Sequence, residues 1–173
     1  MTRQLDFIHG TKAHLRPLRA DDHYRIRQIA SQKIVSQNTS AIPHPYPDGQ
    51  AQIFVGRILD ETKPMWALDA SHVGHSDLIG LIGLSMPADD YELGYMLDPA
   101  FWGLGYMSAA VKDLIAQNPL NVASVNAGVF QDNPASARVL TKAGFAYTGD
   151  DEAFSIARNA IVQRWRYIYT YAQ

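Results

Sequence analysis

The chain has no cysteine, which excludes disulfides, thiolate metal sites and a cysteine nucleophile. It also lacks an excess of positive charge: 15 Lys plus Arg stand against 17 Asp plus Glu, a formal charge of -2. A nucleic-acid surface needs clustered cations, so that partner class is set aside. No stretch approaches the roughly 20 apolar residues of a membrane-spanning helix. Met1 to Gly10 carries no apolar run of the signal-peptide kind. Internal repeats, low-complexity tracts and linkers are missing too. What remains is 173 residues, 47% of them hydrophobic, enough for one packed core. We read residues 1–173 as one cytoplasmic domain, with its core at 11–169.

Apolar periodicity divides the chain into short elements. Ala13 and Leu15 alternate with polar neighbours up to Pro17, as in a first strand. Asp21 or Asp22 can cap a helix carrying Ile26, Ile29 and Ala30. Pro43, Pro45 and Pro47 cannot continue a helix, because each lacks an amide donor. Asp48 is placed to cap the next helix, with Ala51, Phe54, Val55 and Ile58 at apolar spacing. Met65 to Asp69 reads as a short strand, and Leu78 to Leu84 as a strand buried on both faces. Tyr91, Leu93, Tyr95 and Leu97 then point one way while Glu92, Gly94 and Met96 point the other. Met107, Ala110, Val111, Leu114 and Ile115 mark a helix closed by Asn118-Pro119. Val125, Ala127 and Val129 make another strand, so strand, helix and strand imply a right-handed crossover and a parallel pair. Asn133 is a natural N-cap with Pro134 at the first helical position. Gly144 suits the left-handed residue that ends that helix, with Phe145 over its last turn. The segment Phe154 to Tyr169 ends in Trp165, Tyr167 and Tyr169 at strand period. The expected class is α+β.

Two of these helix starts carry chemistry. Trp102-Gly103-Leu104-Gly105-Tyr106-Met107 opens one, and Asn133-Pro134-Ala135-Ser136 opens the other. The first turn of a helix leaves amides without partners, and the macrodipole adds partial positive charge there. A pyrophosphate satisfies both, and Gly103 and Gly105 let the backbone approach it. The spacing is no Walker loop, since no Gly-Lys-Ser/Thr follows, and the third glycine of the dinucleotide fingerprint is missing. His72 and His75, with Asp69 and Asp77 nearby, read as a solvated loop rather than a metal site. Arg164 and Arg166 share one strand face and read as a solvated sheet edge, while Trp165 and Tyr167 read as core or dimer surface.

The stretch Phe101 to Met107 resembles the glycine motif of the GNAT superfamily of N-acetyltransferases. Within it, the chain looks like the RimJ/RimL-type ribosomal-protein N-acetyltransferases, in which a tryptophan often stands where Trp102 does. Asn133 to Phe145 is similar to the family's second motif, and Tyr91 to Met96 to the strand before the glycine turn. Pro43-His44-Pro45-Tyr46 is similar to a loop on the substrate side. The resemblance runs from Thr11 to Tyr169.

It implies a single-domain mixed sheet whose two parallel central strands splay apart, flanked by helices, with acetyl-CoA as co-substrate entering the gap and no metal. Trp102, Gly103, Leu104, Gly105, Tyr106 and Met107 would hold the pyrophosphate. Main-chain groups of Met96 and Leu97 would pair with pantetheine, and Asn133 would contact the same arm. The Leu97 amide would face the thioester oxygen, where negative charge develops. Glu92 is the candidate base, or else a strand carboxylate paired with an arginine. Ser136 is the candidate acid near the thiol, or else completes the first helical turn. His44 and Tyr46 either wall the substrate site or form a turn with a packed tyrosine. Some positions depart from the pattern: Leu104 replaces a polar residue, Met107 a small one, and Ala109 a glutamate. Leu140 stands where RimI-type relatives carry a tyrosine acid. The implied reaction acetylates a primary amine, first a protein N-terminal α-amine. A small-molecule amine (aminoglycoside, polyamine or amino-acid derivative) and a catalytically silent acyl-CoA-binding module are the alternatives. A homodimer is the assembly the family suggests.

Overall fold

Seven segments with alternating or continuous apolar character pair into one sheet in the computed structural model, which describes residues 7–61, 63–87 and 90–172. The amino-terminal end read above as lacking a leader falls, for residues 1–6, outside the described residues. The strands are β1 (His14–Pro17), β2 (Met65–Asp69), β3 (Gly80–Ser85), β4 (Glu92–Leu97), β5 (Ser124–Phe130), β6 (Ala146–Ser155) and β7 (Ala160–Thr170). Their order across the sheet is β1-β2-β3-β4-β5-β7-β6. Every neighbouring pair is antiparallel except β4 and β5. Helices α1 (His23–Ala30), α2 (Lys33–Ser36) and α3 (Gln50–Asp60) pack on one face, α4 (Tyr106–Gln117) and α5 (Pro134–Lys142) on the other. β3 is buried on both faces: Leu81 joins the core under α1 and α3, Ile82 the core under α4 and α5. The expected α+β class and GNAT-type sheet are what the chain forms. No helix among the described residues is long and apolar enough to cross a membrane.

The parallel contact is the feature that matters for function. β4 and β5 are matched at a single register pair, Glu92 with Asn126, where the Asn126 amide donates to the Tyr91 carbonyl at 2.8 Å. Beyond it the strands part. The Asp98 amide donates to Ile79 on the β3 side at 2.9 Å. Alternation along the strand therefore turns the Leu97 amide and carbonyl to the opposite edge, into the gap, and commits those of Met96 to β3.

Several local expectations need correction. Gly49, at φ +76°, holds the N-cap position of α3, and Asp48 pairs instead with Arg27 across the surface. Asp22 does precede α1, but its carboxylate does not cap that helix. It accepts the Arg19 amide at 2.7 Å and receives both ends of the Arg16 guanidinium at 2.8 and 2.9 Å. The carboxy-terminal region is a long hairpin of β6 and β7, turning at 156–159 with Asn159 at φ +48°. The charged run of β6 hid that strand. Consequently β7 is an interior strand, and Arg164 and Arg166 are not a solvated edge: both lean toward Glu92 and Asp151. Gly128 makes room for this, since a Cβ there would lie 2.8 Å from Nη1 of Arg164. Asn133 does cap α5, and Gly144 is left-handed at φ +93°. Among the described residues no group of three or more His, Cys, Asp and Glu is placed to hold a metal ion.

At the β1 end of the sheet His14 stacks on His72, ring centres 4.0 Å apart, with His9 at 5.4 Å. Burial and these two imidazoles hold His14 below its ordinary value of 6.5, against an opposing pull from Asp69. A depressed histidine favours the neutral folded state, so its contribution is full above the unfolded value and is lost as pH falls below it. The melting temperature will therefore decline as pH falls below the unfolded value of 6.5, and decline less in His14→Asn. Equal slopes for the two proteins in a thermal titration would refute this.

Candidate active site

The turn into α4 is built to leave amides open. Asp98 accepts the Ala100 amide at 3.1 Å and is held from behind by Arg25. Gly103 and Gly105 take φ of +75° and +82°, conformations that disfavour a side chain. Gly105 occupies the N-cap position, and no side chain caps the helix. The first intrahelical bond runs from the Ala109 amide to the Gly105 carbonyl at 3.0 Å. The amides of Tyr106, Met107 and Ser108 thus precede any intrahelical acceptor and lie at the positive end of the helix dipole. Lys12 fastens the turn from outside, its Nζ donating to the Leu104 carbonyl at 2.7 Å and lying 5.5 Å from the Tyr106 ring centre. Trp102 closes over β4, its indole N–H donating to the Leu97 carbonyl at 2.8 Å.

Across the gap, α5 begins with a compact cluster. Asn133 Oδ1 accepts the Ser136 amide at 3.3 Å, and its Nδ2 donates to Ser136 Oγ at 3.2 Å. Tyr95 reaches from β4 to donate its hydroxyl to the Ser136 carbonyl at 3.3 Å. Burial pushes the Tyr95 hydroxyl up to about 12, so it stays protonated and works as a donor.

Two cavities meet at this cluster. The first, about 280 Å³, runs from the α4 turn between β4 and α5 and is edged by Arg138 and Lys142. The second, about 260 Å³, lies toward Glu92, Arg164 and Ser85 under residues 38–41. They share Asn38, Thr39, Tyr95, Asn133 and Ser136. A molecule lying in the first can therefore meet one in the second beside Tyr95, Asn133 and Ser136.

Of the residues singled out from the sequence, Met96, Leu97, Trp102, Gly103, Gly105, Tyr106 and Met107 line the first cavity together with Asn133 and Ser136. Met96 does so without main-chain groups to offer, since these face β3. Leu104 is not among the lining residues; its side chain is exposed and its carbonyl is taken by Lys12. Glu92 lines the second cavity and is also ion-paired with Arg164 at 3.4 Å and Arg166 at 3.3 Å. Arg164 is gripped on its far side by both oxygens of Asp151, at 2.8 and 2.9 Å. Although burial works against it, Asp151 and Glu92 raise Arg164 above its ordinary value. Neither His44 nor Tyr46 lines either cavity. Tyr46 packs against the core under α1 and α3, where burial raises its hydroxyl. Leu140 is fully buried and lines the second cavity.

Lys12, Asn38, Thr39, Tyr95, Arg138 and Lys142 also shape the site, although no sequence motif marks them as functional. Arg138 and Lys142 stand four apart on one helix face, a spacing that could have been read as a cationic rim. Lys12, Asn38 and Thr39 come from irregular segments with no local signal.

A family model for the acetyltransferase (GNAT) domain matches residues 12–146. An uncharacterized N-acetyltransferase of Bacillus subtilis, YoaA, is 35% identical over 103 residues. The match spans 57% of this chain and 57% of that relative's length. An acetyltransferase from Salmonella typhimurium that modifies the N-terminal serine of ribosomal protein L7/L12 superposes with a TM-score of 0.77 at 17% identity, over 96% of this chain and 100% of that one. Spermidine N-acetyltransferase from Vibrio cholerae, solved with CoA and spermine, gives 0.71 at 19% identity over 91% and 95%. At these identities the structural likeness is one of fold.

Proposed function

The chain belongs to the GNAT acetyltransferase family, and on that premise we propose that it transfers the acetyl group of acetyl-CoA to a primary amine, first a protein N-terminal α-amine, as RimJ/RimL-like enzymes do. The observation that carries this reading is the junction of two cavities at Tyr95, Asn133 and Ser136.

The residues present suit the coenzyme. Three open amides at the α4 N-terminus match a pyrophosphate, and Arg138 and Lys142 supply cations at the rim. The gap-facing edge of β4 offers strand-like hydrogen bonds to pantetheine. The amine attacks the thioester carbon, the carbon–sulfur bond breaks, and the thiolate takes up a proton. In this reading the Leu97 amide supports the carbonyl oxygen as it gains charge. Ser136 Oγ, already accepting from Asn133, keeps its own proton for the departing sulfur. Glu92, at the far end of the second cavity, orients the amine or relays its proton through water.

The acceptor is inferred from charge. Glu92 is already matched by two arginines, so the second cavity has no unspent carboxylate for the additional cations of a polyamine. A single amine fits better. An α-amine, with a pKa of about 7.7–8.0 against about 10.4 for lysine, also asks least of a base.

The experiment is an acceptor panel with thiol release as readout: peptides with free N-termini, N-terminally blocked lysine peptides, spermidine and an aminoglycoside. Free N-terminal peptides are expected to turn over fastest. Ser136→Ala and Glu92→Gln should each slow the best acceptor by about 100-fold, the low end for acid–base groups. Binding of acetyl-CoA without acetylation of any amine would overturn the transferase reading. Unchanged turnover in both variants would remove only their assigned roles.

A further inference from the structure

We propose that Arg158, at the tip of the β6–β7 hairpin, is a positioning residue that fastens residues 37–40 over the junction of the two cavities. The proposal rests on the reading of those cavities as coenzyme and acceptor sites.

Between α2 and α3 the chain has no regular element, yet Asn38 and Thr39 from this stretch line both cavities. Their amides make local bonds, Asn38 to the Val35 carbonyl at 3.1 Å and Thr39 to the Ser36 carbonyl at 3.2 Å. Such turns do not fix the segment against the rest of the molecule. The hairpin tip supplies the long-range hold. Arg158 Nε donates to the Gln37 carbonyl at 2.8 Å, and the Ile156 amide to the Ser40 carbonyl at 3.1 Å. The fully buried Ser155 hydroxyl points at the Thr39 carbonyl at 3.5 Å and accepts the Arg158 amide at 3.4 Å.

Arg158 also reaches the opposite wall. Its Nη1 and Nη2 grip both oxygens of Asp132, at 2.5 and 3.1 Å, and its guanidinium lies 5.1 Å from the Phe130 ring centre. Asp132 immediately precedes Asn133, the residue that caps α5 and lines both cavities. One planar guanidinium therefore ties the α5 entrance to the 37–40 segment, with the aromatic ring as its seat. The pair is well formed electrostatically: the Arg158 hydrogen bond holds the Asp132 carboxyl below the usual carboxylate range. A planar fork has donors on two edges, spaced to hold both Asp132 oxygens and the Gln37 carbonyl together; the three donors of an ammonium sit on one atom and do not reproduce that span. Cutting this tie frees the roof of the junction while leaving β4, the α4 turn and the α5 cluster in place. The effect should fall on the acceptor more than on the coenzyme, which has those other walls to rest on.

The test compares wild type with Arg158→Ala, Arg158→Lys and Asp132→Asn, in steady-state kinetics, in calorimetry with CoA, and in amide hydrogen exchange. In Arg158→Ala the KM for the best amine should rise by about tenfold, the effect of losing charge-assisted bonds of this kind, while kcat and CoA affinity stay within about twofold. Arg158→Lys should recover part of the loss. Exchange at the Asn38, Thr39 and Ile156 amides should quicken by about tenfold, with the α5 amides unchanged. A residue that only stabilises the hairpin would lower the melting temperature and leave the KM for amine and the 38–39 amides untouched; that result overturns the proposal. So does an equal loss for amine and coenzyme. If Arg158→Ala fails to fold, Asp132→Asn is judged by the same criteria. If wild type acetylates no amine, the exchange arm still decides: quickened Asn38 and Thr39 amides uphold the fastening while the transferase reading falls.

Discussion

Gly105→Val will weaken CoA binding by about 100-fold in calorimetry. Gly105 sits at φ +82° at the N-cap of α4, and a β-branched residue held there costs about 1–3 kcal/mol of backbone strain. The chain can relieve that strain only by turning the residue back to negative φ, which re-aims the amides of Tyr106, Met107 and Ser108. A Cβ at this position would lie at ordinary contact distance, 3.5 Å, from Nζ of Lys12, so the brace on the Leu104 carbonyl stays. The anion site loses its shape. Because the turn lies at the surface, the melting temperature without ligand should change far less than the affinity. Affinity within about threefold of wild type would mean that these amides do not carry the diphosphate, and the α4 N-terminus would lose its assigned role.

Arg16→Met will strongly destabilise the fold. Arg16 on β1 is 2% exposed, with its fork set on Asp22 and its Nη2 also donating to the Asp77 carbonyl at 2.8 Å. Its Nε lies 3.4 Å from Asp69. Methionine fills the stem's space but takes from Asp22 and Asp69, both largely buried, the cation they share. Removing one partner from a buried ion group typically costs about 3–5 kcal/mol. For a chain of this size that corresponds to a fall of about 6–20 °C in melting temperature. A loss below about 3 °C would show that water reaches the carboxylates and that the network matters little. Asp22→Asn in the Arg16→Met background should restore part of the loss, since it removes one of the two stranded charges.

What could be read from the letters alone follows the range of the interactions concerned. The α4 and α5 helices, their glycine and asparagine starts, and the β4–α4–β5 crossover all have local causes: period, caps and left-handed turns. They emerged with nearly the right ends. β6 was lost because Thr148 to Glu152 reads as polar loop, and a strand with charges paired across to β7 carries no alternating apolar signal. Without β6, Arg164 and Arg166 read as a solvated edge instead of as partners of Glu92. The first cavity sits on motifs contiguous in sequence, so its residues converge. The second is assembled from 38–41, β4, β5 and β7, joined by contacts more than a hundred residues apart such as Arg158 to Gln37. Nothing in a local pattern announces such a contact. His44 and Tyr46 drew notice as a proline-rich motif, whereas the neighbouring and plainer Asn38 and Thr39 reach the cavities.

The lone rung between Glu92 and Asn126 divides the sheet mechanically into a leaf of four strands and a leaf of three, riveted at one end and bound elsewhere by shared side-chain packing. Backbone polar groups facing an unzipped seam must find water or a guest. A guest with amides spaced like a peptide would stitch the leaves together from the open end. For such a molecule, entering the protein and completing its architecture are a single event.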